Sequence, residues 1–600
     1  MVGEPDGGWY IEDVSAPVPR SRGFSSLSPG GPKPDIRGFW PPKGAGICAM
    51  KKIIVTIAGE EQTFPAGVTV EEVLRRNPGS APFLTLGAVL HNHLLDPDYS
   101  LEHDCGLRLL TYRDREGFAI YRRTATLILI EAVRRVFPER RLLIGQSLED
   151  GYYFDLAPAG SDLDKDVPAV RDAFFEIVRE NLPLARRYLS YQEARDCFRK
   201  RNLADKVGLL EFYRSPEVCL IGCGETLEFY QGPLAPRTGR VTTIAVEPYE
   251  DGLILRFPTW EKPEAIQPLR RERKLFAVFQ ETQGWNRILS VENVGQLNKL
   301  CVTGKIRDLI IIAESLHAKK IAALADEISA KRDEIKLVLI AGPSGAGKTT
   351  FAKRLSIELR VNGLDPAILS MDNYFKDRAA TPRDSNGDLD FESLEAIDVE
   401  LFNLHLEHLV GGKLIETPRF NFKKGVRGEK TFPLRLTEGR ILLIEGIHCL
   451  NNAVTERVAA KNKYLVYINA LTQLRVDNHT RIFTSDTRLL RRIVRDRIFR
   501  GWSALDTIRR WPAVRRGERV NIFPFQENAD AIFNSALVYE HAVLKNYAEL
   551  ALLDMTPDRP EYVEVERLLA FLSWFAPISE RDVPYTSILR EFIGESFFNY

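Results

Sequence analysis

Long apolar runs are missing from this 600-residue chain. None approaches the ~20 residues of a membrane span, and the opening residues carry Glu4 and Asp6 without an apolar h-region, so neither a spanning helix nor a secretory leader is expected. Charge of one sign is missing too. Lys plus Arg number 82 against 82 Asp plus Glu, so no global field advertises nucleic acid or an anionic membrane, and partners must be argued from local sites. Cysteine is scarce: of seven, only Cys219 and Cys223 lie close together. With no second pair nearby, neither a disulfide framework nor a zinc site is indicated, and a reducing, cytoplasmic compartment fits best. What the chain does have is 44% hydrophobic residues, ample for buried cores, and a length that suggests three or four domains at ~100–200 residues each.

Residues 1–49 are rich in Gly and Pro without periodicity and are expected to be a disordered extension, with Met50, where patterning begins, a candidate translation start. Lys51 to Gly59 alternates like a strand, Gly59-Glu60-Glu61 reads as a turn, Gln62 to Ala66 returns, and Thr69 caps a short helix, VEEVLRR. Residues 50–113 thus read as a small β-grasp pattern. A helical stretch from Tyr121 to Val136, then YYFDL, a helix around Val170 to Glu180, and YQEARDCFRKR, predict an α+β domain over 114–262. Residues 263–335 form a helical connector whose amphipathic stretches VGQLNKLCV and IRDLIIIAESLHAKKIAALADEI brace the domain after it. From 336 to 555 apolar strands alternate with helical stretches, the grammar of a parallel sheet with crossover helices. Residues 556–600 read as a helical tail that packs onto another domain.

Gly342 to Thr349 (GPSGAGKT) satisfies GxxxxGK[ST] with an apolar strand before it and a helix after it, the context a phosphate loop needs. The N–H groups of Gly342, Ser344, Gly345, Ala346, Gly347, Lys348, Thr349 and Thr350 are candidates to cradle a nucleoside triphosphate, with Lys348 reaching the β- and γ-phosphates and Thr349 ligating Mg²⁺. Strand PAILS runs into Asp372, at the carboxyl edge where ligands of open α/β sheets bind. A carboxylate there can accept a hydroxyl proton, the feature that separates a kinase from an NTPase; a helix cap is the alternative. Strand ILLIEG ends in Glu445, an indirect Mg²⁺ ligand or a buried structural acid. On a helix, Arg488, Arg491, Arg492 and Arg495 share one face by i, i+3, i+4 spacing. They suit a mobile lid closing over phosphates, a solvated charged helix, or an RNA-contacting face.

SGAGKTT, SMDNYF, LLIEG and DTRLLRRIVRD, in that order, resemble the uridine kinase and phosphoribulokinase family of P-loop kinases over about 336–550. The resemblance implies ATP and Mg²⁺ as cofactors, Asp372 as the base toward a sugar hydroxyl, Lys348, Thr349 and Glu445 serving MgATP, and Arg491, Arg492 and Arg495 among the lid arginines. It also places Asp390 on the ribose hydroxyls, with Tyr374, Phe420 and Phe422 near the acceptor. Gly425 stands where uridine-cytidine kinases have a base-reading histidine, and the segment 471–485 is longer than in the small kinases, which predicts a remodelled acceptor pocket.

In the front half, residues 51–113 resemble the TGS domain, and DREGFAIYRRTATLILIEAVRRVFP through YQEARDCF to about Pro236 resembles the editing region of threonyl-tRNA synthetases. Arg123 and Leu127 stand at that family's two helix histidines, and Tyr230-Gln-Gly-Pro-Leu234 replaces its later Cys and His, which implies that editing is lost. Such a retained fold binds, regulates or stabilises; the sequence leaves open RNA binding, metabolite sensing and a homo-oligomer brace. His91, His93, His405 and His408 read as surface or core residues, while His448 lies near Glu445.

The expected activity is transfer of the γ-phosphate of ATP to the 5′-hydroxyl of a ribonucleoside, with a nucleoside as partner and no membrane. A kinase for another hydroxylated metabolite and a nucleotide-switched RNA-binding regulator stay open, as does GTP as donor.

Overall fold

In the strand Lys52–Ile57 (β1) the alternating residues Ile53 and Val55 are buried, and β2 (Glu60–Pro65) returns antiparallel with Ile57 opposite Glu60. The turn is therefore Ala58-Gly59, one residue earlier than predicted, and both have positive φ, 52° and 89°. Thr69 caps helix α1 (Val70–Arg76) in a reciprocal box: its hydroxyl accepts from the Glu72 amide, and the Glu72 carboxylate accepts from the Thr69 amide. Cys105–Gly106 pairs parallel with β1, closing the small sheet. The computed structural model describes residues 51–600 apart from 149, 159–161, 260, 385–386, 422–423 and 600. The expected extension at 1–49, the candidate start at Met50, and Phe422 lie outside the described residues.

The next region is built on helix α2 (Arg115–Val136), which begins at Arg115 rather than Tyr121. Strands β3 (Arg141–Leu148) and β4 (Gly151–Ala157) lead to helix α3 (Leu163–Glu180). Strand β5 (Ala185–Ser190), helices α4 (Tyr191–Lys200) and α5 (Ala204–Leu210), and strands β6 (Glu217–Cys223) and β7 (Thr226–Phe229) come next. With β8 (Ala245–Tyr249) and β9 (Gly252–Arg256), the strands form two antiparallel sheets, ordered β3-β4-β9-β8 and β5-β6-β7. Helices α7 (Val294–Val302) and α8 (Ile306–Ala330) sit where the amphipathic patterns put them. Helix α6 (Arg273–Ile288) lies within the expected helical connector, though no amphipathic stretch marked it, because Gln283 and Asn286 interrupt its buried face.

From β10 (Leu337–Ala341) onward the chain alternates as its grammar predicts. It runs through α9 (Lys348–Val361), β11 (Asp365–Ser370), α10 (Val399–Val410), β12 (Arg440–Glu445) and β13 (Lys463–Asn469). A short hairpin comes after them, β14 (Arg475–Asp477) and β15 (Thr480–Arg481), then α11 (Thr484–Arg495), α12 (Ala504–Asn521), β16 (Ala531–Asn534), α13 (Glu540–Leu552), α14 (Tyr562–Leu572) and α15 (Arg590–Ile593). The five long strands form one parallel sheet ordered β11-β12-β10-β13-β16, with the phosphate-loop strand in the middle.

Both faces of that sheet are apolar, as a parallel sheet with crossovers requires. Val338 and Ile340 of β10 enter a core that also holds Phe198 of α4, Leu220 of β6, Ile310 of α8 and Ile593 of α15. Leu337, Leu339 and Ala341 point the other way, into a core shared with Tyr153 of β4, Ile254 of β9 and Phe276 of α6. The hydrophobic interior therefore runs across the expected boundaries at 262 and 335.

The long segment 471–485 is where the structure departs most from expectation. Its hairpin β14–β15 is inserted into the front half. Lys206 of α5, with no exposed surface, pairs with Asp477 at 3.1 Å and Glu228 of β7 at 2.6 Å, and His479 meets the same Glu228 at 2.8 Å. Burial works against the charge on Lys206, but the two carboxylates outweigh it and raise the ammonium above its ordinary range. The Asn478 carbonyl accepts from the Ile144 amide, and the Asn478 amide donates to Asp205, at 2.8 Å each. Among the described residues no helix is long and apolar enough to cross a membrane.

Removing one member of a buried ion cluster strands the others. Lys206→Met should lower unfolding stability by about 3 kcal/mol in chemical denaturation, and adding Asp477→Leu should recover part of that loss; a cost below about 1 kcal/mol would mean the cluster does not weld the halves.

Candidate active site

Register brings the chemistry to one sheet edge. Ile340 of β10 and Ser370 of β11 both lie opposite Glu445, the last residue of β12. The phosphate loop begins two residues after Ile340 and Asp372 stands two residues after Ser370, so loop, Asp372 and Glu445 line the same carboxyl edge. Gly342 is required there by close approach: a Cβ would lie 2.1 Å from the Ile468 carbonyl.

The Lys348 ammonium donates to the Gly342 carbonyl at 2.9 Å, resting against the loop it belongs to. Burial pushes the Asp372 carboxyl up, against the opposing pull of Lys348, Arg500 and Arg495. Burial raises Glu445 as well, to about 7, with the nearby Asp372 charge adding and Lys348 and a Ser370 hydrogen bond subtracting. Glu392, which no motif marks within DLDFESLE, joins them; burial carries it to about 7 while Arg492 and Lys348 pull it down. All three carboxyl groups lie within the field of Lys348, with Arg495 and Arg500 adding at Asp372 and Arg492 at Glu392. Glu445 and the half-buried Thr349, second residue of α9, suit a divalent cation between them and a polyphosphate.

The arginine face of α11 divides. Arg488 and Arg491 are 1% and 0% exposed and lie beneath the loop instead of above it. Arg488 forms a bidentate pair with Glu518 and donates to the Ser344 carbonyl at 3.0 Å. Arg491 binds Glu540 at 2.6 Å and the Gly345 carbonyl at 3.1 Å. The helix itself buries Leu489, Leu490, Ile493 and Val494, so α11 is a fixed part of the core and not a mobile lid. Placing Arg491 among groups facing the phosphates is corrected on the same ground: its donors are already spent on Glu540, Ser535 and the loop's outer carbonyl. Arg492 donates to the Ser344 hydroxyl at 2.9 Å. Arg495 and Arg500 pair with the fully buried Asp496 at 3.0 and 3.2 Å, and both act on Asp372. Arg500 escaped the i, i+3, i+4 reading because Asp496–Arg500 is a π-turn that breaks the 3.6-residue period.

The expected acceptor residues are dispersed. Tyr374 is fully buried, its ring against Phe402 and its hydroxyl 2.9 Å from His405 Nδ1, so it supports the site from the core and does not reach a substrate. Phe420 is 7% exposed and packs on Phe375 with ring centroids 5.7 Å apart. The Asp390 carboxylate accepts from the Glu392 amide at 3.1 Å. Gly425 has φ of +70°, and a side chain there would collide with Arg378, whose Nε would lie 2.2 Å from the Cβ. His448 is fully buried, and burial lowers it to about 4. In the front half, Arg123 of α2 donates through Nη2 to the Pro233 carbonyl at 2.8 Å, tying the helix to the 230–234 segment, while Leu127 is buried. Tyr230 donates to Asp96 at 2.6 Å.

Residues 337–540 match the model of the Phosphoribulokinase / Uridine kinase family. The N-terminal region is similar to threonine–tRNA ligases: 30% identity to that of Desulforamulus reducens over 31% of this chain and 29% of that protein, and 33% to that of Thermotoga petrophila over 30% and 28%. The chain thus spans less than a third of the length of the curated relatives it matches. A solved structure described as a possible uridine kinase from Bacillus stearothermophilus aligns over 36% of this chain and 98% of its own, at 19% identity and a TM-score of 0.26.

A carboxyl raised by the fold favours the protonated folded state, so the stability it lends is complete below about pH 4.5 and is lost as pH rises to about 7. Glu445→Gln should therefore gain on the wild type across that window and run parallel above it, by roughly 3 kcal/mol in all, in denaturation series at fixed ionic strength. A constant difference from pH 4.5 to 8 would contradict this assignment.

Proposed function

We propose that the kinase-family domain at residues 337–540 makes this chain an ATP-dependent nucleoside kinase that transfers the γ-phosphate to the 5′-hydroxyl of a ribonucleoside. The observation that carries this reading is the convergence of Lys348, Asp372 and Glu445 at one sheet edge with Arg495 and Arg500 acting on Asp372.

Asp372 takes the proton from the attacking hydroxyl; its burial raises its basicity toward neutral pH, where a general base is most effective. Lys348 leaves the Gly342 carbonyl for the β- and γ-phosphates, and the loop amides hold the rest of the polyphosphate. Arg495 and Arg500, clamped by Asp496, present fixed positive charge where the phosphoryl group passes, so little reorganisation is needed at the moment of transfer. Mg²⁺, bound through Thr349 and Glu445, would neutralise developing phosphate charge. Asp390 binds the acceptor's ribose. Such a protein belongs in a reducing cytoplasm.

A kinase for a different hydroxylated metabolite is the second reading, favoured by Gly425, where Arg378 crosses the backbone in place of a side chain that could read a base. The front half is read as a structural brace that does not edit aminoacyl-tRNA, supported by its share in both cores of the kinase sheet.

A product assay with MgATP and a panel of nucleosides, pantothenate and ribulose 5-phosphate tests both readings. One nucleoside should yield a 5′-monophosphate, and Asp372→Asn should lower kcat by about 10²–10⁴ with little change in nucleotide affinity. Phosphorylation of a non-nucleoside alone selects the second reading, and full turnover by Asp372→Asn would remove the mechanism. Arg500→Met should cost at least about tenfold in kcat at unchanged melting temperature, whereas Arg491→Met should chiefly destabilise, by about 3 kcal/mol, because it strands Glu540.

A further inference from the structure

The amide of Thr350 is the third of the phosphate-binding helix α9, one of the donors that a helix N-terminus leaves without an internal partner. A local cap is missing, since the N-cap residue is Gly347, with φ of +85° and no side chain to offer. An anion is what such an end attracts, and in a phosphate loop that anion is the nucleotide's polyphosphate. Here the amide donates instead to Oε2 of Glu591 at 3.0 Å, and the Thr350 hydroxyl donates to the same oxygen at 2.6 Å. The carboxylate comes from α15, far along the chain, and the turn carrying it is seated against the loop. Ile588 lies so near Gly347 that a Cβ on the glycine would fall 2.5 Å from its Cγ2. Lys353, one helical turn beyond Thr350, donates to the Asn599 carbonyl. Lys353 also feels the charges of both Glu591 and Glu445.

We propose that the C-terminal segment is an internal competitor of the nucleotide, with the Glu591 carboxylate occupying the Thr350 amide and hydroxyl that the loop would otherwise offer to a phosphate. The inference rests on reading the loop as a nucleotide site. A carboxylate and a phosphate cannot share those donors, and their like charges repel at contact distance. Nucleotide must therefore turn Glu591 out before it seats. Arg590, on the opposite side of the same turn, is buried and bound to the carbonyls of Glu580 and Val583, so the turn is anchored while its Glu591 face moves. The device sets a threshold: a partner or ligand that draws Glu591 away raises nucleotide affinity without touching the loop.

Calorimetric titration of the full chain with MgATP tests this on wild type, Glu591→Gln and Glu591→Ala. Both variants should bind at least tenfold more tightly, with a matching fall in the KM for ATP and kcat unchanged. If Glu591 were only a helix cap, Glu591→Ala would melt earlier and bind MgATP no better than wild type, and the proposal would be overturned. Equal Kd values in all three proteins sink the competition alone; no binding by any of them, with cooperative melting intact, sinks the nucleotide site with it. Should the variants fail to fold, hydrogen exchange on the wild type decides: MgATP should speed exchange over 588–599, and unchanged or slower exchange there overturns the proposal.

Discussion

A parallel sheet whose strands are apolar on both faces must be covered twice, and that constraint organises the molecule. One face of β10 is covered by α8, α9 and the C-terminal helices together with α4 and β6 of the front half. The other is covered by α6 and α10 with aromatic residues of β4 and β8. The front half is thus neither appended to the phosphate-loop sheet nor tethered by a linker; it supplies cover that a smaller kinase would have to find elsewhere. What the threonine–tRNA-ligase-like region contributes to this sheet is therefore a packing surface.

Polar chemistry fixes the register of that packing. Apolar contact is non-directional, whereas a buried ammonium with two carboxylates accepts one arrangement. The β14–β15 hairpin carries Asp477 to Lys206, and the backbone of Asn478 continues the β3 edge at Ile144. Arg488 and Arg491 play the same part on the loop itself. Each is tied to a buried glutamate on one side and to a loop carbonyl on the other, so the orientation of the phosphate cradle is set by α12 and α13.

The loop, the strand–helix alternation, Asp372 and Glu445 were legible because local pattern and motif spacing carry them. The capping box at Thr69 and Glu72 was legible for the same reason. Glu392 and Arg500 were not: one sits in an irregular stretch, and the other closes a π-turn that shifts its direction. Whether an arginine faces a cleft or a buried glutamate depends on residues such as Glu518 and Glu540, 30 and 49 positions away, which helical spacing cannot reveal. The destination of 471–485 and the seat of Glu591 depend likewise on contacts across hundreds of residues.

The core that joins Ala194 to Ile593 has a consequence for how the protein is made. On the ribosome, α4, α5 and β6 emerge long before the sheet and the last helices that complete their interior, so sequential domain-by-domain maturation is denied to them. Their apolar surfaces stay open to water, and to neighbouring nascent chains, until translation is nearly finished. Contacts so distant in sequence must pay loop-closure entropy before they stabilise anything, which delays the closing of this core.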